Sequence, residues 1–236
     1  MAAVTRTLTL PQTTIGQKAI MAVSGLAMFG FVIGHMIGNL KLYQGPEKLN
    51  EYAAFLRTVP ALLWGARAVL LVAVGAHIWS SIQLGSRNAE ARPVGYRRKK
   101  SLASTYASRT MYWTGPILLF YIVYHVLHLT FGYGIPGNAY DPHNVYNNVV
   151  LSFQQPLIAG IYVLGNLALG FHLFHGATSM FQTIGASHPR YDRTRNLAAL
   201  GLVGAVLVGN LSFPLMVLAG VVQPTDQTFF FPALAH

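Results

Sequence analysis

Histidine is the residue of this chain whose type and placement point most directly to chemistry. Six histidines fall inside long apolar segments, where an ionisable side chain is costly and commonly serves a function. They are spread over four consecutive segments, as His35, His77, the couple His125 and His128, and the couple His172 and His175. Histidines with separate structural roles would not need this regular distribution. We therefore interpret the six histidines as a set of ligands.

The positions of these histidines along their segments predict two pairs at two depths. Consecutive spans run in opposite directions, and a helix rises 1.5 Å per residue. His35 then lies ~25 Å from the membrane edge at which the chain begins, with His125 near the same depth. His77 lies ~12 Å from that edge, and the depth of His172 is closer to that of His77 than to that of His35. The pairs His35–His125 and His77–His172 are thus offset vertically by ~10 Å.

Two histidine pairs at different depths suit two bis-histidine haems b. Imidazole is a common haem ligand, and its neutral form tolerates an apolar site. With both axial positions filled, such a haem can only pass electrons. A zinc site would need its ligands at one depth, and di-iron sites use carboxylates that the spans lack. The chain has no cysteine, which excludes iron–sulfur ligation by this chain.

The spacing alone leaves the third and fourth ligands open. The members of each couple are related as i and i+3, so both lie on one helix face. One member would bind the iron, and the other would hydrogen-bond a propionate or a carbonyl. Glycines near the histidines, such as Gly30 and Gly34, leave room either for a flat macrocycle or for a neighbouring helix.

The elements that position these residues are membrane spans. Of 236 residues, 53% are hydrophobic and only 9% are charged, whereas a soluble domain has about 25% charged residues. Five segments reach the length of about 20 apolar residues that a span requires. They cover roughly residues 19–42, 61–85, 110–133, 156–185 and 196–222. We predict an all-α membrane protein, with five transmembrane helices in a bundle that forms one domain over residues 1–236.

The basic residues predict the orientation of this bundle. The chain has 16 Lys+Arg against 6 Asp+Glu, and cytoplasmic loops carry an excess of Lys and Arg. The basic residues concentrate before span one, between spans two and three, and between spans four and five. We therefore expect a cytoplasmic N-terminus and an external C-terminus. This topology explains the basic loop without nucleic acid as a partner.

Four stretches together resemble a known family. They read TIGQKAIMAVSGLAMFGFVIGHMIGNLKLY, LNEYAAFL, TGPILLFYIVYHVLHLTFG and FHLFHGATSMFQTIG. The chain resembles, from about Thr14 to Val222, the diheme cytochrome b membrane anchor of succinate:quinone oxidoreductases, which are succinate dehydrogenases and fumarate reductases. The resemblance is to the single-subunit type with five helices.

The resemblance implies a choice within each histidine couple. In that family the first four spans each supply one haem ligand, and the first pairs with the third and the second with the fourth. The fourth-span ligand stands in the pattern H-x-x-x-G, which His172 and Gly176 match. The third-span ligand follows a Thr-Gly, as His125 follows Thr114-Gly115. The resemblance thus favours these two histidines, with a supporting or alternative role for His128 and His175.

The family also implies partners and a location. A flavoprotein with FAD oxidises succinate, an iron–sulfur subunit relays electrons, and the anchor passes them to menaquinone or ubiquinone in the membrane. This chain itself would carry no succinate chemistry. We expect a multi-pass protein of the bacterial cytoplasmic membrane. The basic residues Arg97, Arg98, Lys99 and Lys100 would help dock the iron–sulfur subunit, or serve topology alone.

Further polar residues are candidates for the quinone and haem surroundings. Thr14, Gln17 and Lys18 lie at the inner end of span one and resemble the polar segment at the quinone pocket of related anchors. Arg67 would pair with a haem propionate, or extend to the interface. Glu51, on the outer side, would exchange protons for a quinone site.

Two other functions stay open on the sequence. One is the diheme anchor of a different quinone-linked dehydrogenase, of the formate dehydrogenase or hydrogenase type. The other is a transporter without haem, although transporters commonly show repeat symmetry and broken helices that this sequence lacks.

Overall fold

The computed structural model describes residues 9–91, 94, 106–183 and 185–225. Within these residues it contains helices and no strand, which confirms the predicted all-α class. The α-helices are α1 (Thr14–Asn39), α2 (Pro46–Thr58), α3 (Pro60–Glu90), α4 (Tyr106–His125), α5 (Val145–Phe153), α6 (Pro156–Thr183) and α7 (Asp192–Leu218). A π-helical turn, Val126–Thr130, continues α4. Short 3-10 helices cover Leu10–Gln12, Leu40–Gln44, Pro136–Asn138 and Pro189–Tyr191.

Five of these helices, α1, α3, α4, α6 and α7, are long and apolar enough to span a membrane. The prediction of five transmembrane helices is therefore confirmed. Backbone polar groups find no partner in hydrocarbon, so a spanning segment must satisfy them within its own helix. Apolar side chains cover the outside of the bundle, among them Leu71, Phe120, Leu164 and Val208. An exposed apolar surface of this extent fits lipid as its surroundings.

Local signals explain where the long helices begin. The side chain of Thr13 accepts a hydrogen bond from the amide of Gly16 at 3.0 Å and caps α1. Pro60 and Pro156 occupy the first positions of α3 and α6, where the missing amide hydrogen costs no helical bond.

The spanning helices pack as neighbouring pairs. α1 lies along α3, α4 lies along α6, and α6 also lies along α7. Glycine permits the closest approaches: a β-carbon on Gly165 of α6 would lie 2.4 Å from the ring of Tyr121 on α4. A β-carbon on Gly209 of α7 would lie 2.6 Å from the sulfur of Met36 on α1. We refer to α1 with α3, and to α4 with α6, as the two helix pairs.

The two short helices α2 and α5 cover one end of the bundle, which we call the capped end. Their apolar residues join the main buried cluster, which includes Leu49 and Val150. Asn50 of α2 accepts a hydrogen bond from the amide of Tyr146 at 3.0 Å and donates one to Asn144 at 3.2 Å. The buried hydroxyl of Tyr146 donates to the carbonyl of Gln223 at 2.9 Å, and burial raises the pKa of this phenol. Hydropathy alone does not predict α2 and α5.

The opposite end is formed by the start of α1 and the end of α3. Arg87 donates to the carbonyl of Gln12 at 2.8 Å and to the hydroxyl of Thr14 at 3.5 Å, and so ties the two helices together. The residues of the basic loop named above, Arg97, Arg98, Lys99 and Lys100, lie outside the described residues.

Candidate functional site

The structure brings four of the six intramembrane histidines together as two pairs. The ring centroids of His35 on α1 and His125 on α4 are 5.9 Å apart, with the ring planes at 85°. The centroids of His77 on α3 and His172 on α6 are 6.0 Å apart, with the planes at 57°. Each pair therefore takes one imidazole from each helix pair, in the combination that the depth argument predicts.

The separations fit imidazoles on opposite sides of one metal ion. A metal–imidazole bond is about 2.0 Å and a ring nitrogen lies about 1.1 Å from its ring centre, so the two centroids fall about 6 Å apart. The described residues contain no group of three or more His, Asp or Glu that could hold a metal ion. A haem needs only two side chains, because the porphyrin supplies the other iron ligands.

Open space beside the His35–His125 pair is compatible with a flat group. His35 is exposed even though its ring contacts that of His125. A β-carbon placed on the neighbouring Gly34, or on Gly30 one turn earlier, would meet no atom within 4 Å. The residues present thus fit a haem at this position.

Hydrogen bonding fixes the tautomer of His77. Its Nδ1 lies 3.2 Å from the carbonyl oxygen of Met21 and 3.2 Å from the hydroxyl of Ser24, both on α1. A carbonyl only accepts, so Nδ1 carries the hydrogen and donates it. The neutral imidazole then keeps its free electron pair on Nε2. This is the arrangement in which a histidine binds a metal through one nitrogen while the other is held by the protein.

His172 is held in a similar way from α4. Its Nδ1 lies 3.4 Å from the hydroxyl of Thr114, a buried residue. That hydroxyl also lies 3.5 Å from the carbonyl oxygen of Met111, to which it donates. The hydroxyl can therefore accept from Nδ1 of His172 while its own hydrogen is occupied.

Aromatic rings surround the other pair. Phe31 stacks on His35 with centroids 5.3 Å apart. Tyr121 and Tyr162 contact the ring of His125 at 6.1 Å and 5.7 Å. Nδ1 of His125 is buried and has no hydrogen-bond partner. This pair is thus positioned by packing, whereas the His77–His172 pair is positioned by hydrogen bonds.

His128 and His175 lie apart from the paired rings. His128 is 1% exposed, its Nδ1 lies 3.0 Å from the hydroxyl of Tyr162, and its ring stacks on Tyr124 at 5.3 Å. His175 is half-buried on α6, one turn beyond His172. The structure places His125 opposite His35 and His172 opposite His77.

The three residues considered for quinone lie on the first turns of α1, at the end opposite the cap. Gln17 is 1% exposed; its Nε2 donates to the carbonyl of Pro11 at 2.5 Å, and its Oε1 is buried without a hydrogen-bond partner. Thr14 is exposed and accepts the bond from Arg87. Lys18 is exposed. The structure therefore brings a buried amide and two accessible polar groups together at this helix end.

Two charged residues considered from the sequence lie towards the capped end. The guanidinium of Arg67 lies 4.7 Å from the ring centroid of Trp64, so its contact is with an aromatic face. Glu51 is exposed and forms an ion pair with Lys48 at 3.1 Å.

Sequence reasoning missed the hydroxyl partners of the histidines. Ser24 and Thr114 are polar residues within apolar spans, which is the signal that was available. Thr114 entered the sequence analysis only as part of a motif. Their contacts depend on the rotation of each helix about its axis, which spacing along one chain segment does not give.

The fold and the site define a class of protein: a helical multi-pass membrane protein with paired intramembrane histidines. A comparison with protein families matches residues 89–211, just over half of the chain, to the succinate dehydrogenase/fumarate reductase transmembrane subunit family. The chain belongs to this family. His125 and His172 lie within the matched residues, and His35 and His77 precede them. Comparisons with curated proteins and with solved structures gave no match.

Proposed function

We propose that this chain, as one transmembrane domain, anchors a succinate:quinone oxidoreductase in the membrane. In this role it passes electrons between an iron–sulfur subunit and membrane quinone through two haems b. The two histidine pairs are the observation that carries the proposal, and the family membership supports the identity of the complex. The flavoprotein and iron–sulfur partners would carry the FAD, the clusters and the succinate chemistry.

The chain's own residues would hold the two cofactors. His77 and His172 would bind one haem b, and His35 and His125 the other; each bound haem would supply one-electron transfer. With two imidazoles from this chain holding each haem, the residues would leave no place for oxygen or substrate at the iron. The apolar helices exclude water, and the contacts with Ser24, Thr114 and the aromatic rings orient the imidazoles.

The proposed orientation puts the Thr14 end of the bundle in the cytoplasm of a bacterial cell, facing the iron–sulfur subunit. Six described cationic residues support this orientation, since they lie at or near the ends of the spans that meet there: Lys18, Arg87, Arg109, Arg190, Arg193 and Arg195. The C-terminus would then lie outside. Cytoplasmic loops attract Lys and Arg in this way.

Quinone would bind near Thr14, Gln17 and Lys18. A quinone carbonyl needs hydrogen-bond donors, and the Lys18 ammonium and the Thr14 hydroxyl are accessible at this end. The unpaired Oε1 of Gln17 adds a buried acceptor for the reduced quinol. The site would lie close to both the iron–sulfur subunit and the His77–His172 pair. Menaquinone and ubiquinone both satisfy this chemistry.

Family membership favours this function over the two alternatives that the sequence leaves open. The matched family is that of succinate dehydrogenase and fumarate reductase, not of formate dehydrogenase or hydrogenase anchors. A haem-free transporter would also leave the opposed imidazoles without a purpose.

The test is an optical and chemical haem count on the purified complex. The wild type should show b-type absorbance in the reduced-minus-oxidised spectrum and two haems per chain, with the flavoprotein and iron–sulfur subunits identified by mass. His77→Leu should remove one haem and leave the other. His143→Leu is the control, because this exposed histidine lies outside both pairs and should keep two haems. Absence of haem, or two haems retained in His77→Leu, would contradict the proposal.

A further inference from the structure

We propose that Ser24 and Thr114 are positioning residues that lower the reduction potential of the haem held by His77 and His172, and of that haem alone. This inference rests on the proposed function. It concerns two hydroxyl groups to which the proposed function gives only an orienting role. Each hydroxyl contacts a histidine on the other helix of the same helix pair. Ser24 on α1 faces His77 on α3, and Thr114 on α4 faces His172 on α6.

The Ser24 hydroxyl acts as an acceptor towards His77 because its own hydrogen is engaged. It lies 2.7 Å from the carbonyl of Ile20, one turn earlier on α1, and donates to it. Its remaining electron pairs face Nδ1 of His77 at 3.2 Å. Ser24 is buried, so water does not compete for this contact. The backbone carbonyl of Met21 accepts from the same Nδ1.

Thr114 repeats the arrangement on the other helix pair. Its hydroxyl donates towards the carbonyl of Met111, three residues earlier on α4, and faces Nδ1 of His172 at 3.4 Å. No other hydrogen bond to the His172 ring is present among the described residues. The contribution of Thr114 is therefore not duplicated by a backbone carbonyl.

The electronic consequence follows from the direction of these bonds. An acceptor at Nδ1–H draws the proton away and makes the imidazole a stronger electron donor through Nε2. A stronger donor stabilises ferric over ferrous iron, so the reduction potential falls. The His35–His125 pair lacks this influence at His125, whose Nδ1 has no partner. The two haems should therefore respond differently when the hydroxyls are removed.

The experiment is a redox titration of both haems in the whole purified complex. Thr114→Val keeps the shape and removes the acceptor, and Ser24→Ala does the same with a smaller expected effect because Met21 still accepts. In Thr114→Val the potential of one haem should rise, by up to about tenfold in the oxidised-to-reduced ratio, or about 59 mV for one electron. The other haem should not shift, and Thr114→Ser should restore the wild-type potential.

The matched control is Thr178→Val. Thr178 is also a hydroxyl residue of a spanning helix, but among the described residues its hydroxyl bonds only to carbonyls of its own helix, those of Phe174 and His175 at 3.0 Å each. Its removal should leave both potentials unchanged. Equal shifts of both haems, or two retained haems with no shift in Thr114→Val, would overturn this inference alone. If Thr114→Val fails to assemble, the haem potentials of Ser24→Ala provide the test: a rise in one haem alone supports the inference, and no shift overturns it. A wild-type complex without haem would overturn the proposed function as well.

Discussion

The hydroxyl of Tyr162 lies 3.0 Å from Nδ1 of His128, and this contact gives the two histidines at the end of α4 different surroundings. Both imidazoles touch the ring of Tyr162. Only His125 also meets His35. His128, on the π-helical turn, is fully enclosed: its Nδ1 is paired with the Tyr162 hydroxyl of α6, and its Nε2 is buried without a hydrogen-bond partner. Its ring contacts are with Tyr124 and Tyr162 and not with the His35–His125 pair.

Substitution of His125 or of His128 should distinguish a haem ligand from a core residue. We expect His125→Leu to reduce the haem count from two to one, because the His35 imidazole loses its partner. His128→Leu should keep both haems, while the unpaired Tyr162 hydroxyl lowers the free energy of unfolding by about 1–3 kcal/mol. A haem-to-protein ratio and a thermal melt in detergent measure the two effects. The opposite pattern of haem loss would assign the ligand to His128.

The couple on α6 permits the same comparison. His172 lies opposite His77 and is held by Thr114. We expect His172→Leu to remove one haem and to leave the spectrum of the other intact. His175→Leu serves as the matched variant one turn away and should retain two haems. Loss of haem in His175→Leu with retention in His172→Leu would refute the assignment.

The contact between α4 and α6 depends on the absence of a side chain at Gly165. A β-carbon there would lie 2.4 Å from the Tyr121 ring, which itself contacts His125. Gly165→Ala should therefore destabilise the bundle by about 1–3 kcal/mol. Gly160→Ala, on the same helix, meets no atom within 4 Å and should change stability by less than about 0.5 kcal/mol. Unfolding followed by tryptophan fluorescence distinguishes the variants, and equal stabilities would contradict the packing described.

Asn50 links the two helices of the cap. Asn50→Ala removes the acceptor for the Tyr146 amide and the donor to Asn144, and the buried amide then costs about 1–3 kcal/mol. We expect faster proteolysis of the α2 segment in membranes. Glu51→Ala is the neighbouring control: it breaks only an exposed ion pair with Lys48, which is worth little. Similar cleavage rates in both variants would show that Asn50 does not hold the cap.

Lys18 tests the proposed quinone position. Lys18→Ala should raise the KM for quinone and lower quinone-linked succinate oxidation, because an accessible donor is lost. Reduction of a water-soluble dye by the flavoprotein and iron–sulfur subunits should not change, since that reaction bypasses the anchor. Lys48→Ala, at the capped end, provides the control cation. An unaltered KM in Lys18→Ala would place the quinone elsewhere.

The sequence was sufficient to predict the five spans because each is an apolar run long enough to cross a bilayer. It was also sufficient to predict which spans pair their histidines, since depth in a membrane follows directly from position along a helix. The choice of His125 over His128, and of His172 over His175, came from the family resemblance instead. Because a helix has a constant rise per residue, the length of a span and the depth of a histidine can both be calculated from the sequence. The cap was not predicted: α2 is too polar and too short to read as a span, and α5 spans just Val145–Phe153.

The surroundings of each imidazole also lay beyond the sequence. The spacing of His125 and His128 predicts one shared helix face, but the π-helical turn begins at Val126 and widens the backbone between them. Ser24 and Thr114 reach the histidines through the relative rotation of neighbouring helices. That rotation is set by close contacts such as Gly165 with Tyr121, and these contacts involve residues far apart in the chain.

Both histidine pairs run between the helix pairs and never within one. A bound haem would thus connect the two helix pairs, in addition to the contacts that α1 makes with α6 and α7. Since a ligand that binds only the assembled state stabilises it, maturation of the subunit would depend on porphyrin supply. In a cell starved of iron or haem, the two helix pairs would separate more readily and would become substrates for membrane proteases. A shortage of the cofactor would then limit the abundance of the whole complex.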